Sequence, residues 1–170
     1  MTFLDLAKKR YSCRSYSDRP VEPEVLKQIL SAAHVAPTGA NRQPQRLIVV
    51  QTKEAMEQLG KAANLHGAPM AIVVCADRDV VWTRECDHKQ ITDIDATIVT
   101  DHMMLAAADL GVDSVWICAF DPTIVRTAFQ IPDHWDIVNI LALGYGNGPV
   151  KSPDRHDTER FPMETYTKTV

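Results

Sequence analysis

Residues 92–110, TDIDATIVTDHMMLAAADL, decide how the rest of this chain can be arranged. Apolar side chains recur there at helical spacing, but on more than one stripe: Ile94, Ile98, Met104 and Leu105 on one, Ala96, Val99, Met103 and Ala107 on another. A helix that is apolar around much of its girth must run through the middle of a fold or meet a second subunit. Gly111 is a natural terminator for it.

Outward from that helix, apolar runs alternate with amphipathic ones. Downstream, DSVWICAF (113–120) reads as a strand, DPTIVRTAFQI (121–131) as a short helix opened by Asp121 and Pro122, and WDIVNILALGYG (135–146) as a strand. Upstream, PMAIVVCAD (69–77) is almost wholly apolar, which predicts a strand covered on both faces, and RLIVVQ (46–51) is a shorter one. KEAMEQLGKAA (53–63) reads as a surface helix. Val25, Leu26, Ile29, Leu30 and Ala33 define a helix begun at Glu22-Pro23-Glu24 and stopped by Pro37. A short helix over TFLDLAKK (2–9) has Thr2 as its cap, and residues 78–91 are polar and irregular.

From Asn147 onward the chain is rich in proline and charge and cannot make a core of its own. The element order predicts one domain over 1–170, an α/β or α+β sandwich with helices on both sides of a single sheet and an extended tail at 147–170.

With 170 residues, 45% of them apolar, the chain has material for one sizeable core. A net charge of −4 argues against general nucleic-acid binding, which needs clustered Lys and Arg. No apolar run approaches a membrane span and no signal peptide opens the chain, so a cytoplasmic location is expected. Cys13, Cys75, Cys86 and Cys118 form no C-x-x-C pair, which predicts reduced thiols, with Cys75 and Cys118 as small core residues.

The dull chemistries fall away by pattern. The six histidines form no H-E-x-x-H or H-x-H spacing, so no metal site is expected. There is no G-x-S-x-G elbow. Gly144-Tyr145-Gly146-Asn147-Gly148 lacks the helix that a dinucleotide loop requires and reads as a strand exit. What remains is KRYSCRSY (9–16), where Arg10, Ser12 and Arg14 have no acid close in sequence. They form either a solvated turn at a helix end or a site for a planar or phosphorylated anion. The loop PTGANRQPQ (37–45) adds amides able to pair with a heterocycle's edge.

At this point the sequence resembles the flavin-dependent nitroreductase family. RYSCRSYSDRPV, APTGANRQPQRLIVV, DHMMLAAADLGVDSVWICAF and LALGYGNGP carry the resemblance, in order and over almost the whole chain. The resemblance implies an α+β fold with a central, mostly antiparallel sheet flanked by helices. It further implies a homodimer on long central helices, with FMN in the interface contacted by both subunits and the tail wrapped on the partner. Arg10, Ser12 and Arg14 match the family's grip on the flavin phosphate and pyrimidine end. Pro37, Thr38, Asn41 and Gln43 match a segment lying along the ring from the partner chain. Cys118 and Ala119 match backbone near the reactive N5 edge, and Arg160 a tail arginine reaching the phosphate. No side chain is implied as catalytic, since the flavin carries the chemistry.

Gln45 stands where many members have tryptophan, Thr38 where serine is usual, Cys118 and Ala119 where a glycine often sits, Tyr11 in place of an arginine, and Thr158 in place of a lysine. The implied activity is FMN-dependent NAD(P)H oxidoreduction. In a ping-pong cycle, hydride would pass through flavin N5 to a nitroaromatic, quinone or flavin-like acceptor. The alternative is a flavin-binding protein that stores, senses or interacts without robust turnover.

Overall fold

Strands β1 (Gln45–Val50), β2 (Met70–Asp77), β3 (Asp113–Ile117) and β4 (Trp135–Gly144) make one sheet in the order β1-β2-β4-β3, every neighbouring pair antiparallel. The computed structural model describes residues 1–170. All eight residues of β2 are buried, so the strand is covered on both faces as its apolar run predicts. Alternation assigns the faces. Ile72, Val74, Leu141 and Leu143 point to one core, with Ile29 and Ala33 of α2 (Pro23–Val35) and Ala96, Val99, Met103 and Ala107 of α4 (Thr92–Asp109). Ala71, Val73, Cys75, Ile140 and Ala142 point to the other, with Leu59 of α3 (Lys53–Gly60), Val125 of α5 (Pro122–Phe129), Cys13 and Tyr16.

The two stripes of α4 part company. Thr92, Asp95, Ala96, Val99, Thr100, Met103 and Ala107 face the sheet and α2 and are buried. Ile94 is 48% exposed and Met104 and Leu105 are half-buried, on a side flanked by α1 (Phe3–Lys9). Phe3 and Leu4 of α1 are themselves exposed.

Cys118 corrects one expectation. β3 ends at Ile117, and the chain leaves the sheet to bridge Ala63 through Phe120, which leaves Cys118 and Ala119 exposed rather than in the core. Cys75 is fully buried, and that burial pushes its thiol up to about 12, out of reach of ionisation at neutral pH. The tail carries only α6 (Arg155–Thr158) and one 3-10 turn at Met163–Thr165, and Phe161, Met163 and Tyr166 are exposed. No helix is long and apolar enough to cross a membrane.

Candidate functional site

The arginine segment is set by what precedes it. Thr2 and Asp5 close a capping box at the start of α1, with Asp5 N–H donating to Thr2 Oγ1 at 3.2 Å and Thr2 N–H to Asp5 Oδ2 at 2.9 Å. After Lys9 the backbone turns extended. Ser12 lies parallel to Ser114 of β3, Cys13 N–H donates to Ser114 O at 2.9 Å, and Ser17 N–H donates to Tyr145 O at 2.8 Å. The strand exit receives this segment closely: a Cβ on Gly146 would lie 3.0 Å from both Cys13 Sγ and Tyr11 Oη, so only glycine allows the approach.

Arg155 ties the tail to the same place. Its guanidinium donates to Lys8 O at 3.1 Å, Arg10 O at 2.5 Å and Ser152 O at 2.8 Å, closing the open carbonyl end of α1 with one planar fork. The sequence reading singled out Arg160 and missed Arg155, whose partners are backbone carbonyls about 145 positions away and leave no local pattern.

Arg10 is half-buried and lines a cleft of roughly 620 Å³ with Arg160, His156, Lys8, Met104 and Leu105. Burial first, then Arg155 and Arg160, hold its guanidinium below the ordinary range, and only Asp101 opposes them. Arg10, Arg14, Arg155 and Arg160 enter none of the molecule's ion pairs. His156 adds a donor without an acceptor. Its Nδ1 accepts from Arg160 Nε at 3.4 Å, which leaves the ring proton on Nε2, a buried atom with no partner. Ser12 and Arg14 open on a smaller neighbouring cleft with Gly148, Pro149 and Lys151, and Tyr11 borders it.

The other predicted residues lie elsewhere. The loop carrying Pro37, Thr38, Asn41 and Gln43 ends at Pro44, whose carbonyl accepts from Asp77 N–H at 2.9 Å, at the far end of β2. Arg10 lies beside Gly111 and Val112, near the end of the sheet where Met70 pairs with Leu143. The eight residues of β2 separate the two ends by roughly 23 Å. Cys118 and Ala119 stand between them, past the end of β3, and Ala119 opens on a shallow cleft formed by residues 60–67 that includes Lys61, Asn64 and His66. Asn64 and His66 were not singled out from sequence. His66 takes φ 56 with its N–H bonded to Asn64 Oδ1 at 2.9 Å.

The donor set at the Arg10 end suits a phosphate: a half-buried guanidinium with further arginines beside it, a hydroxyl and an unpartnered imidazole N–H, with no carboxylate paired to any of the arginines. The amides of the 37–43 loop suit the polar edge of a flat heterocycle. Those two features are what a mononucleotide with an aromatic ring would require.

Comparison with known proteins gives the same direction. The sequence profile of the Nitroreductase family matches residues 7–64 and 57–145. A crystal structure of a nitroreductase family protein from Clostridium difficile 630 superposes with a TM-score of 0.97 at 55% identity, covering 99% of this chain and 98% of that one. The FMN reductase [NAD(P)H] of Bacillus subtilis is 39% identical over 175 residues, 91% of this chain and 70% of that protein. An FMN-dependent nitroreductase from Clostridium difficile R20291 is 29% identical with a TM-score of 0.73, covering 86% and 89%.

Proposed function

The chain belongs to the nitroreductase family, and from that premise we propose that it is an FMN-dependent NAD(P)H oxidoreductase working as a homodimer. The observation that carries this reading is the half-buried Arg10 among Arg155 and Arg160 with no carboxylate paired to any of the three. A half-buried guanidinium held beside two more costs stability unless an anion neutralises it, and that supports an anion site here.

FMN, when bound, supplies the centre that takes hydride from a reduced nicotinamide and passes it to an acceptor. Arg10, Ser12 and Arg160 hold its phosphate, with His156 Nε2 as a further donor. Arg14 supplies positive charge toward the pyrimidine end, where reduction places negative charge. Cys118 and Ala119 present backbone beside the ring, and Pro37, Thr38, Asn41 and Gln43 of the partner subunit's loop close over it. No side-chain acid or base is required of the protein.

The separation of roughly 23 Å between loop and cations along β2 supports the homodimer. A two-fold axis across the exposed side of α4 sets the start of one helix beside the end of the other, so each loop meets the opposite protomer's cations. Ile94, Met104 and Leu105 with Phe3 and Leu4 supply the apolar face for that contact. Residues 147–170 belong to the same single domain; Arg155, His156 and Arg160 stay at the protomer's own Arg10 end, and the exposed Phe161, Met163 and Tyr166 anchor the tail on the partner. A cofactor site open on one side would make nicotinamide and a nitroaromatic, quinone or flavin-like acceptor take turns in the same space, which would give ping-pong kinetics.

The test is direct. The purified protein should be yellow, release FMN on denaturation, and oxidise NADH or NADPH with a quinone along parallel double-reciprocal lines. A colourless preparation that takes up no added FMN refutes the reading. Truncation after residue 149 should weaken the dimer, and an equally stable dimer would remove the tail from the interface.

A further inference from the structure

The loop Pro37–Gln43 holds three residues with a Cβ in the left-handed region: Ala40 at φ 47, Asn41 at φ 54 and Gln43 at φ 52. Such residues stay there only when surrounding structure imposes it. Within the loop, Gln43 N–H donates to Thr38 Oγ1 at 3.1 Å and Gln43 Nε2 to Asn41 O at 3.2 Å, both in exposed positions. Exposed bonds of this kind exchange readily with water and do not pin a strained turn by themselves.

Two bonds tie this loop to the body of the protein, one from Arg46 Nη1 to Gln43 O at 3.2 Å and a more buried one at Gly39. Its N–H donates to Asp95 Oδ1 at 2.9 Å, and a Cβ there would lie 2.5 Å from Ile91 Cδ1 and 3.1 Å from Trp82 Cβ. Asp95 is 1% exposed on the core-facing stripe of α4, where every neighbouring position in the stripe is apolar or threonine. Its second oxygen, Oδ2, is buried without a partner. A carboxylate in that place costs stability compared with an apolar residue, and the one bond it makes is to the loop.

We propose that Asp95 is a positioning residue for the flavin site: by holding Gly39 against Ile91 and Trp82, it keeps Ala40, Asn41 and Gln43 in the shape that closes over the partner's flavin. This rests on the FMN reading above and names what maintains the loop that reading uses. A merely structural Asp95, serving the helix start, would affect melting alone.

The full-length dimer is compared as wild type, Asp95→Ala, Asp95→Asn and Gly39→Ala, by fluorescence titration with FMN and by trypsin cleavage after the exposed Arg42 in the flavin-free protein. Asp95→Ala should weaken FMN binding about tenfold or more, from the loss of a charge-assisted hydrogen bond, and should speed cleavage at Arg42. Asp95→Asn, which keeps an oxygen for Gly39 N–H, should recover most of both. Gly39→Ala leaves Asp95 in place and should reproduce the Ala phenotype, which covers the case in which Asp95→Ala does not fold. In a double-mutant cycle, Asp95→Ala and Asn41→Ala should be non-additive on FMN affinity, whereas Asp95→Ala and Arg160→Ala should add. Wild type that binds FMN, together with Asp95→Ala and Gly39→Ala that bind it equally well and resist trypsin at Arg42 equally, overturns the proposal and leaves the FMN reading standing. Wild type that binds no FMN overturns both.

Discussion

The two ends of the sheet handle positive charge in opposite ways. At the Asp77 end, Arg46 Nη2 sits 2.9 Å from Asp77 Oδ2, and Arg78 reaches Asp136 Oδ1 at 2.5 Å and Asp133 O at 2.6 Å. Asp77 Oδ1 also accepts the Asp79 N–H at 3.0 Å, and His134 Nε2 lies 4.0 Å from both carboxylates. The donor atoms of Asp77, Asp79 and His134 converge within 4.8 Å, but both oxygens of Asp77 already have protein partners. At the Arg10 end, four arginines share a small region and none is in an ion pair, Asp101 being the one carboxylate that lines the cleft with Arg10 and Arg160. Charge paired within the fold at one end serves structure; charge left without an ion pair at the other is where an anion would be stabilised.

The largest effect should come from breaking the unneutralised end. Arg10→Ala is expected to weaken FMN binding about a hundredfold, since a charge-assisted bond contributes ~1.5–3 kcal/mol, while the melting temperature holds or rises as like charges are thinned. Arg14→Ala should lose flavin comparably. Fluorescence titration beside thermal melting measures both; a melting loss of many degrees with flavin retained would mean that these cations serve the fold.

The converse change is Arg46→Ala. Asp77 is nearly buried and would keep one fewer partner, so about 2 kcal/mol of stability should go, lowering Tm by roughly 4–8 °C in a chain of this size. Because Arg46 Nη1 also donates to Gln43 O at 3.2 Å, FMN affinity should fall only a few-fold, well short of the loss from Arg10→Ala. A loss of flavin as large as that of Arg10→Ala would erase the contrast between the two ends.

Arg155→Ala sharpens the comparison, because Arg155 is a cation that the fold uses without neutralising. Freed from Lys8 O and Arg10 O, the tail should become open to proteolysis and FMN affinity should fall about tenfold. Arg155→Lys should not restore it, since a point charge cannot span both carbonyls.

The smallest effect concerns a neutralised pair near the strand exit. Glu22 accepts from the Tyr145 hydroxyl and from Arg19 Nη2 at 2.6 Å, and these bonds, Tyr145's first, hold its carboxyl at about 2. A depressed carboxylate stabilises the fold fully above its ordinary range of ~4.3 and loses that contribution as pH falls toward 2. Tyr145→Phe should move the Glu22 titration upward, seen by its side-chain carbon shift in NMR. An unmoved titration would shift the cause to Arg19 and the Glu22 backbone N–H.

Much of this was readable beforehand. Periodicity located α2 and α4 within a residue or two, the apolar run of β2 announced its double cover, and Thr2 announced the cap of α1. Arg10, with no acid near it in sequence, forms no ion pair in space either, although Asp101 of α4 lines its cleft. Cys118 was misread because composition cannot show where β3 stops: the apolar run continues through Phe120, while the strand ends at Ile117 where the chain turns to bridge Ala63. Arg155 and Asp95 were missed for a shared reason. Each acts on backbone atoms far along the chain, Arg155 on Lys8 and Arg10, Asp95 on Gly39, and a bond to a carbonyl or an amide imposes no residue type on its partner.

The amino-acid sequence by itself determined the elements, the two-sided core and the candidacy of Arg10 and Arg14, because periodicity and the local absence of acids are properties of neighbours along the chain. Only the tertiary structure decided that the cations and the amide loop stand at opposite ends of one sheet, and which buried side chains hold each in place. Antiparallel pairing converts positions along the chain into distances through space, and that conversion, set by packing against α4, places the two features at opposite ends of the sheet.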